Sequence, residues 1–237
     1  MTDRTPRRVA LISGGNRGLG LAIARRLADH GLHVVIGTRD ELSGRDAVEA
    51  SSRDGYEIRS HQLDVTDPAS VARAVADVAN GEGRLDVLVN NAAVAVDRGQ
   101  AAAGPDFERV RATLDANLVG AWRLSAAAIP EMRKNGYGRI VNITSHLGSL
   151  STMGTGNVSY RVSKAGLNAL TGILAAELKE NGILVNAVSP GRMSTRMAYG
   201  ETQRSAEDGA DTPVWLATLP DDGPTGGLFH ERAPLPW

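Results

Sequence analysis

Short apolar runs rich in Val and Ile alternate with longer segments of helical periodicity, and that alternation leaves this chain few folds to choose from. The strand candidates lie at 8–13, 33–38, 56–65, 85–90, 139–145, 183–189 and, more weakly patterned, 226–231. Several are apolar on both sides, as strands covered by helices on two faces must be. Four intervening segments end in glycine directly before a strand, at Gly31, Gly55, Gly136 and Gly182. Glycine there can take the left-handed conformation that closes a helix. Asp67–Pro68 does the opposite job, with a side chain able to cap a helix and a proline suited to its first turn. Repeated strand–helix–strand units with short links predict a doubly wound, mostly parallel α/β sheet of about seven strands with helices on both faces. The 237 residues suit one such domain. No repeat or linker divides the chain, so residues 1–237 read as a single unit.

Composition narrows the function. Lysine and arginine number 26 against 27 acidic residues, a net charge of −1. No overall field draws the chain to nucleic acid or to an anionic membrane. Cysteine is absent, which excludes disulfides, thiolate metal sites and a cysteine nucleophile. The five histidines suggest no metal site. The first residues lack the apolar core of a secretory signal, and no apolar run is long enough to span a bilayer. A soluble, cytoplasmic protein is expected.

In a doubly wound sheet, ligands sit beyond the carboxyl ends of the strands. The first such end carries "SGGNRGLG" (13–20), which runs straight into a helix. Glycines at 14, 18 and 20 let backbone amides approach a pyrophosphate at the helix N-terminus. This is the turn of a Rossmann fold, and Gly14, Asn16, Arg17, Gly18, Leu19 and Gly20 are its expected cofactor contacts. The second strand ends in Thr38 and Arg39 rather than in the acid that usually holds an NAD ribose. Arg17 and Arg39 would instead suit a 2′-phosphate, so NADP(H) is the expected cofactor. Asp40 remains the alternative, as the ribose acid of an NAD enzyme if the register slips by one residue.

Further motifs follow in order: "LDVLVNNAA" (85–93), "DANLVG" (115–120) in a long helix, "IVNITS" (140–145), "YRVSK" (160–164) and "VSPGRMSTRM" (188–197). Together with the glycine turn they resemble the short-chain dehydrogenase/reductase family across nearly the whole chain. "TRD", "HQLDV" and "GADTPVWLATLPDDGPTGGLF" are most similar to its NADPH-dependent carbonyl reductases. The resemblance implies a catalytic set of Asn117, Ser145, Tyr160 and Lys164. Tyr160 would protonate the substrate oxygen, its pKa lowered by the Lys164 ammonium and by an oxidised nicotinamide. Ser145 would hydrogen-bond that oxygen, with Thr144 as the competing hydroxyl. Lys164 would also hold the nicotinamide ribose, and Asn117 would position a water in a proton relay. Asp64 and Val65 should border the adenine. Asn91 should meet the adenine-side ribose or stabilise the central strands, with Asn90 structural. Pro190 and Gly191 turn the chain beside the nicotinamide, near Met193 and Thr195. Ala93 stands where the family usually has glycine, and "GTGN" (154–157) lengthens the interval between Ser145 and Tyr160.

A lid is expected at about 192–206. Its methionines suit a neutral or apolar ketone or aldehyde. The helix expected over 158–180 is apolar on more than one side, which predicts a homo-oligomer, unless the C-terminal segment covers the second stripe. Other readings are an NAD-dependent alcohol dehydrogenase, a 3-oxoacyl reductase acting on carrier-bound thioesters, and an NADP(H)-sensing regulator without turnover.

Overall fold

The computed structural model describes residues 7–97, 99–191 and 204–237. Its sheet has eight strands in spatial order β3-β2-β1-β4-β5-β6-β7-β8. They are β1 (Val9–Ser13), β2 (His33–Thr38), β3 (Ile58–Gln62), β4 (Val87–Asn90), β5 (Gly138–Ile143), β6 (Ile183–Val188), β7 (Leu228–His230) and β8 (Ala233–Pro234). The first seven run parallel, and β8 adds a two-residue antiparallel edge that the periodicity does not reveal.

The strands explain their own composition. In β1, Val9 and Leu11 point into one apolar layer while Ala10 and Ile12 point into the other. The first layer is completed by α3 (Pro68–Glu82), α5 (Gly120–Asn135) and α6 (Val158–Leu178), the second by α1 (Gly18–Asp29), α2 (Glu41–Arg53) and α7 (Ala206–Ala217). A strand flanked on both sides has no reason to alternate with polar residues.

The helix punctuation is as the sequence predicts. Gly31, Gly55, Gly136 and Gly182 all adopt left-handed φ, between +61° and +89°. Asp67 accepts the Ala69 N–H at 2.9 Å, with Pro68 in the first turn.

One element departs from expectation. The long helix around "DANLVG" is two helices, α4 (Phe107–Leu114) and α5, joined by a widened π-helical turn over Asp115–Val119. Such a turn inserts a residue into the helical register. Here it carries Asn117 inward, where it is 1% exposed.

Sheet order reverses between β1 and β4, which opens a crevice above their carboxyl ends. The residues singled out by motif gather around it.

Candidate active site

The turn after β1 is built to keep side chains out. Gly14 has φ +65°, and a Cβ on Gly20 would lie 2.5 Å from the Gly14 carbonyl oxygen and 2.6 Å from Asn91 Nδ2. A Cβ on Gly15 would strike Ile36 at 2.6 Å, so the second glycine of the doublet seats the turn on β2. The glycine spacing alone does not identify that role. Helix α1 begins at Gly18 with no side-chain cap and no acid in its first turn. By contrast α2, α3, α4 and α7 are each capped by their own Asp40, Asp67, Asp106 or Ser205. The amides at the start of α1 therefore remain free for an anion. Leu19 is buried beneath the turn and Asn16 Nδ2 donates to Ser43 Oγ at 3.1 Å. These residues fit a dinucleotide pyrophosphate.

Arg17 and Arg39 are both exposed at the rim of this turn. Asp40 is otherwise engaged: its carboxylate accepts the N–H groups of Ser43 and Leu42 at 3.1 and 3.2 Å, and hydrogen bonding, first of all from Ser43, holds its pKa below the usual range. Burial opposes the ionisation of Asp64, but the Thr66 hydroxyl and amide outweigh it, helped by Arg39 and Arg123, and its pKa is lowered. Val65 is buried next to it, and its carbonyl accepts from Arg123.

A strap after β4 ties the turn to the rest of the crevice. Asn91 Nδ2 donates to the carbonyls of Ser13 and Gly14 at 2.9 and 3.0 Å. Asn91 thus braces the glycine turn from across the crevice, in keeping with the structural half of its expected role. Asn90, bonded to Ser125 and Asn142, is structural. Farther along, Asn117 Oδ1 accepts the Val94 N–H at 2.7 Å, while its Nδ2 donates to the Val94 carbonyl at 2.9 Å and to Ser163 Oγ at 3.1 Å. Ser163 Oγ donates in turn to the Tyr160 carbonyl at 2.7 Å. The Asn117 side chain therefore clamps strap to helix.

Tyr160 and Lys164 lie one turn apart near the start of α6, with Lys164 Nζ 5.6 Å from the phenol ring centroid. Lys164 is 2% exposed and its Nζ donates to the Ile143 carbonyl at the end of β5 at 2.7 Å. Burial brings its pKa down to about 8. The Tyr160 pKa is raised, not lowered as the sequence reading expects. Burial of the phenol is the larger effect, and the hydrogen-bonding Ser145 side chain pulls the other way. Ser145 is half-buried beside the phenol and also accepts the Leu147 N–H at 3.2 Å. The competing Thr144 is 2% exposed and its hydroxyl donates to the Lys164 carbonyl at 3.3 Å. That leaves Ser145 as the hydroxyl available to a ligand.

His146 is exposed, its Nδ1 2.5 Å from Ser189 Oγ and its ring edge-on to His230 at 4.5 Å. Burial and then His230 lower its pKa. Pro190 and Gly191 follow β6 as expected, with Gly191 at φ +81°. Met193, Thr195 and residues 192–203 of the expected lid lie outside the described residues. Gly154 and Thr155 of the long interval are exposed, so that loop bulges outward.

Two sets of contacts near the site have no signal in the sequence. Ser13 Oγ accepts the N–H groups of Asn91 and Ala92 at 3.0 and 3.1 Å. Asp97, 1% exposed, accepts the Ser159 N–H at 2.7 Å. Only the fold brings these partners together.

The chain is similar to known proteins along nearly its whole length. The family model described as short chain dehydrogenase matches residues 8–206. NADPH carbonyl reductase 3 of Homo sapiens is 35% identical, with 97% of this chain and 98% of that protein aligned. Salutaridine reductase of Papaver somniferum is 32% identical over 98% of this chain and 96% of that protein. Among solved structures, an actinorhodin polyketide ketoreductase with NADPH superposes with a TM-score of 0.85 at 29% identity, covering 94% of each chain.

Proposed function

Because the chain belongs to the short-chain dehydrogenase family, we propose that it reduces a ketone or aldehyde to an alcohol with NADPH. The observation that carries this reading is the convergence of Ser145, Tyr160 and Lys164 at the carboxyl end of β5, beside the crevice that the glycine turn borders. When bound, NADPH supplies the hydride to the carbonyl carbon. Gly14, Asn16, Gly18, Leu19 and Gly20 would hold its pyrophosphate end, Asp64, Val65 and Asn91 would border its adenosine, and Pro190 and Gly191 would flank its nicotinamide. Tyr160 gives its proton to the substrate oxygen as negative charge develops there, and Ser145 donates a hydrogen bond to the same atom. Lys164 places a cation under the phenol and favours its loss of the proton at that moment. The relatives aligned here include an NADPH carbonyl reductase and a salutaridine reductase, which supports reduction as the reaction class.

Arg17 and Arg39 select NADPH by binding its 2′-phosphate. The capping role of Asp40 removes the acid that an NAD enzyme would need there. Oxidation of NADPH and NADH, measured over aliphatic, aromatic and polycyclic ketones, tests both the reaction and the preference. Arg39→Ala is expected to raise the KM for NADPH about tenfold or more, since one charge-assisted hydrogen bond is worth roughly 1.5–3 kcal/mol, and to leave NADH nearly unaffected. An equal change for both nucleotides would contradict the assignment.

The same protein is proposed to self-associate. Phe107 on α4, Trp122 on α5 and Val162 and Ile173 on α6 are 61%, 55%, 52% and 55% exposed. The C-terminal segment leaves the last two uncovered, so it is not the cover for that stripe. Light scattering at micromolar concentration should give at least twice the chain mass; a sharp monomer would refute the association.

A further inference from the structure

We propose that Asp97 is a positioning residue for Tyr160: it caps helix α6 from 62 residues away and so fixes where the phenol stands. The start of α6 cannot cap itself. Its N-cap residue, Asn157, is held at φ +48° and its side chain makes no capping hydrogen bond. An uncapped first turn frays, because its amides have no partners within the helix. Asp97 Oδ2 supplies the missing acceptor at 2.7 Å from the Ser159 nitrogen, and a carboxylate also suits the positive end of the helix. Tyr160 is the very next residue. At 1% exposure Asp97 is shielded from water, so this hydrogen bond is not readily exchanged for one to solvent.

The strap that delivers Asp97 makes the contact more than a generic cap. Within 91–97 the chain is pinned at Asn91 to the glycine turn and at Val94 to Asn117. Asp97 ends that span on the first turn of α6. The position of the proton donor is thereby referred to the cofactor turn through a short, doubly anchored segment. An error of about 1 Å between reacting groups can lower a rate by about 100-fold.

The inference rests on the reductase reading for its kinetic consequence, but its structural half can be read without turnover. Hydrogen exchange of the protein alone, followed by mass spectrometry over 158–165, should show about tenfold lower protection in Asp97→Ala. Asp97→Asn, whose Oδ1 can accept the same N–H, should recover most of that protection. With a carbonyl substrate, Asp97→Ala should lower kcat roughly 10- to 100-fold and leave the KM for NADPH within about threefold, with Asp97→Asn again recovering most of the loss.

Unchanged protection in Asp97→Ala would overturn the proposal. So would an unaltered kcat despite lost protection, or an equal loss in both variants, which would assign the effect to charge rather than to the cap. If Asp97→Ala does not fold, the isosteric Asp97→Asn decides alone, and a tenfold fall in its kcat would sink the idea. A wild-type protein that reduces no carbonyl at all would defeat the reductase reading, and the exchange result would still stand.

Discussion

Tyr160→Phe is expected to lower carbonyl reduction by roughly 10²- to 10⁴-fold, the usual contribution of a positioned general acid. The dissociation constant for NADPH should stay within about threefold of the wild-type value. The split follows from what the hydroxyl touches. The half-buried phenol hydrogen-bonds the Ser145 side chain and belongs to neither the glycine turn nor the arginine pair, so removing one oxygen leaves the pyrophosphate and phosphate contacts in place. Burial raises the Tyr160 pKa and makes the phenol a weaker acid, so the Lys164 cation has to offset that push as the proton leaves. Single-turnover kinetics with NADPH fluorescence titration reads both quantities; loss of binding with an unchanged residual rate would remove Tyr160 from the chemistry.

Lys164→Met should abolish turnover and yet make the protein without cofactor more stable at pH 7. Burial lowers the ammonium pKa from 10.5 to about 8, so the folded state binds this proton less tightly than the unfolded chain does. Below pH 8 the folded protein carries the whole penalty of that buried charge, on the order of 3 kcal/mol. Between pH 8 and 10.5 the native lysine is neutral while the unfolded one is still charged, and the penalty fades. Methionine avoids it at every pH. The substitution leaves the Ile143 carbonyl without its donor, a loss of about 1 kcal/mol. A net gain of about 1–2 kcal/mol at pH 7 is therefore expected, shrinking to nothing or below by pH 10.5. Urea denaturation at pH 7, 9 and 10.5 measures it. A difference that does not vary with pH would show that the lysine is not held at a cost.

Much of this fold is legible in the sequence because its signals are local. A strand buried on both faces writes itself as a run of Val and Ile, and a helix end writes itself as a glycine or as Asp67–Pro68. The glycine turn and the Tyr160–Lys164 spacing are likewise short-range patterns. What escapes is whatever depends on the third dimension. Asp97 and Ser159 are neighbours only because the strap folds over α6. Asp40 reads equally well as a ribose acid or a helix cap until its two amide partners are seen. The direction of the Tyr160 shift escapes for a similar reason: the sequence shows the cation one turn away, and only the packed site shows how little water reaches the phenol. Strand β8, two residues long and ending in Pro234, has no periodicity to detect.

The π-helical turn at Asp115–Val119 makes local irregularity something this protein has to inherit. Deleting one residue there would restore an ordinary helix and remove the widened turn that carries Asn117 inward. The amide of Asn117 would then swing away from Val94. A mutation that looks like an improvement in helical order would loosen the seam between the two halves of the crevice, so related chains can drift in surface composition here far more freely than in length.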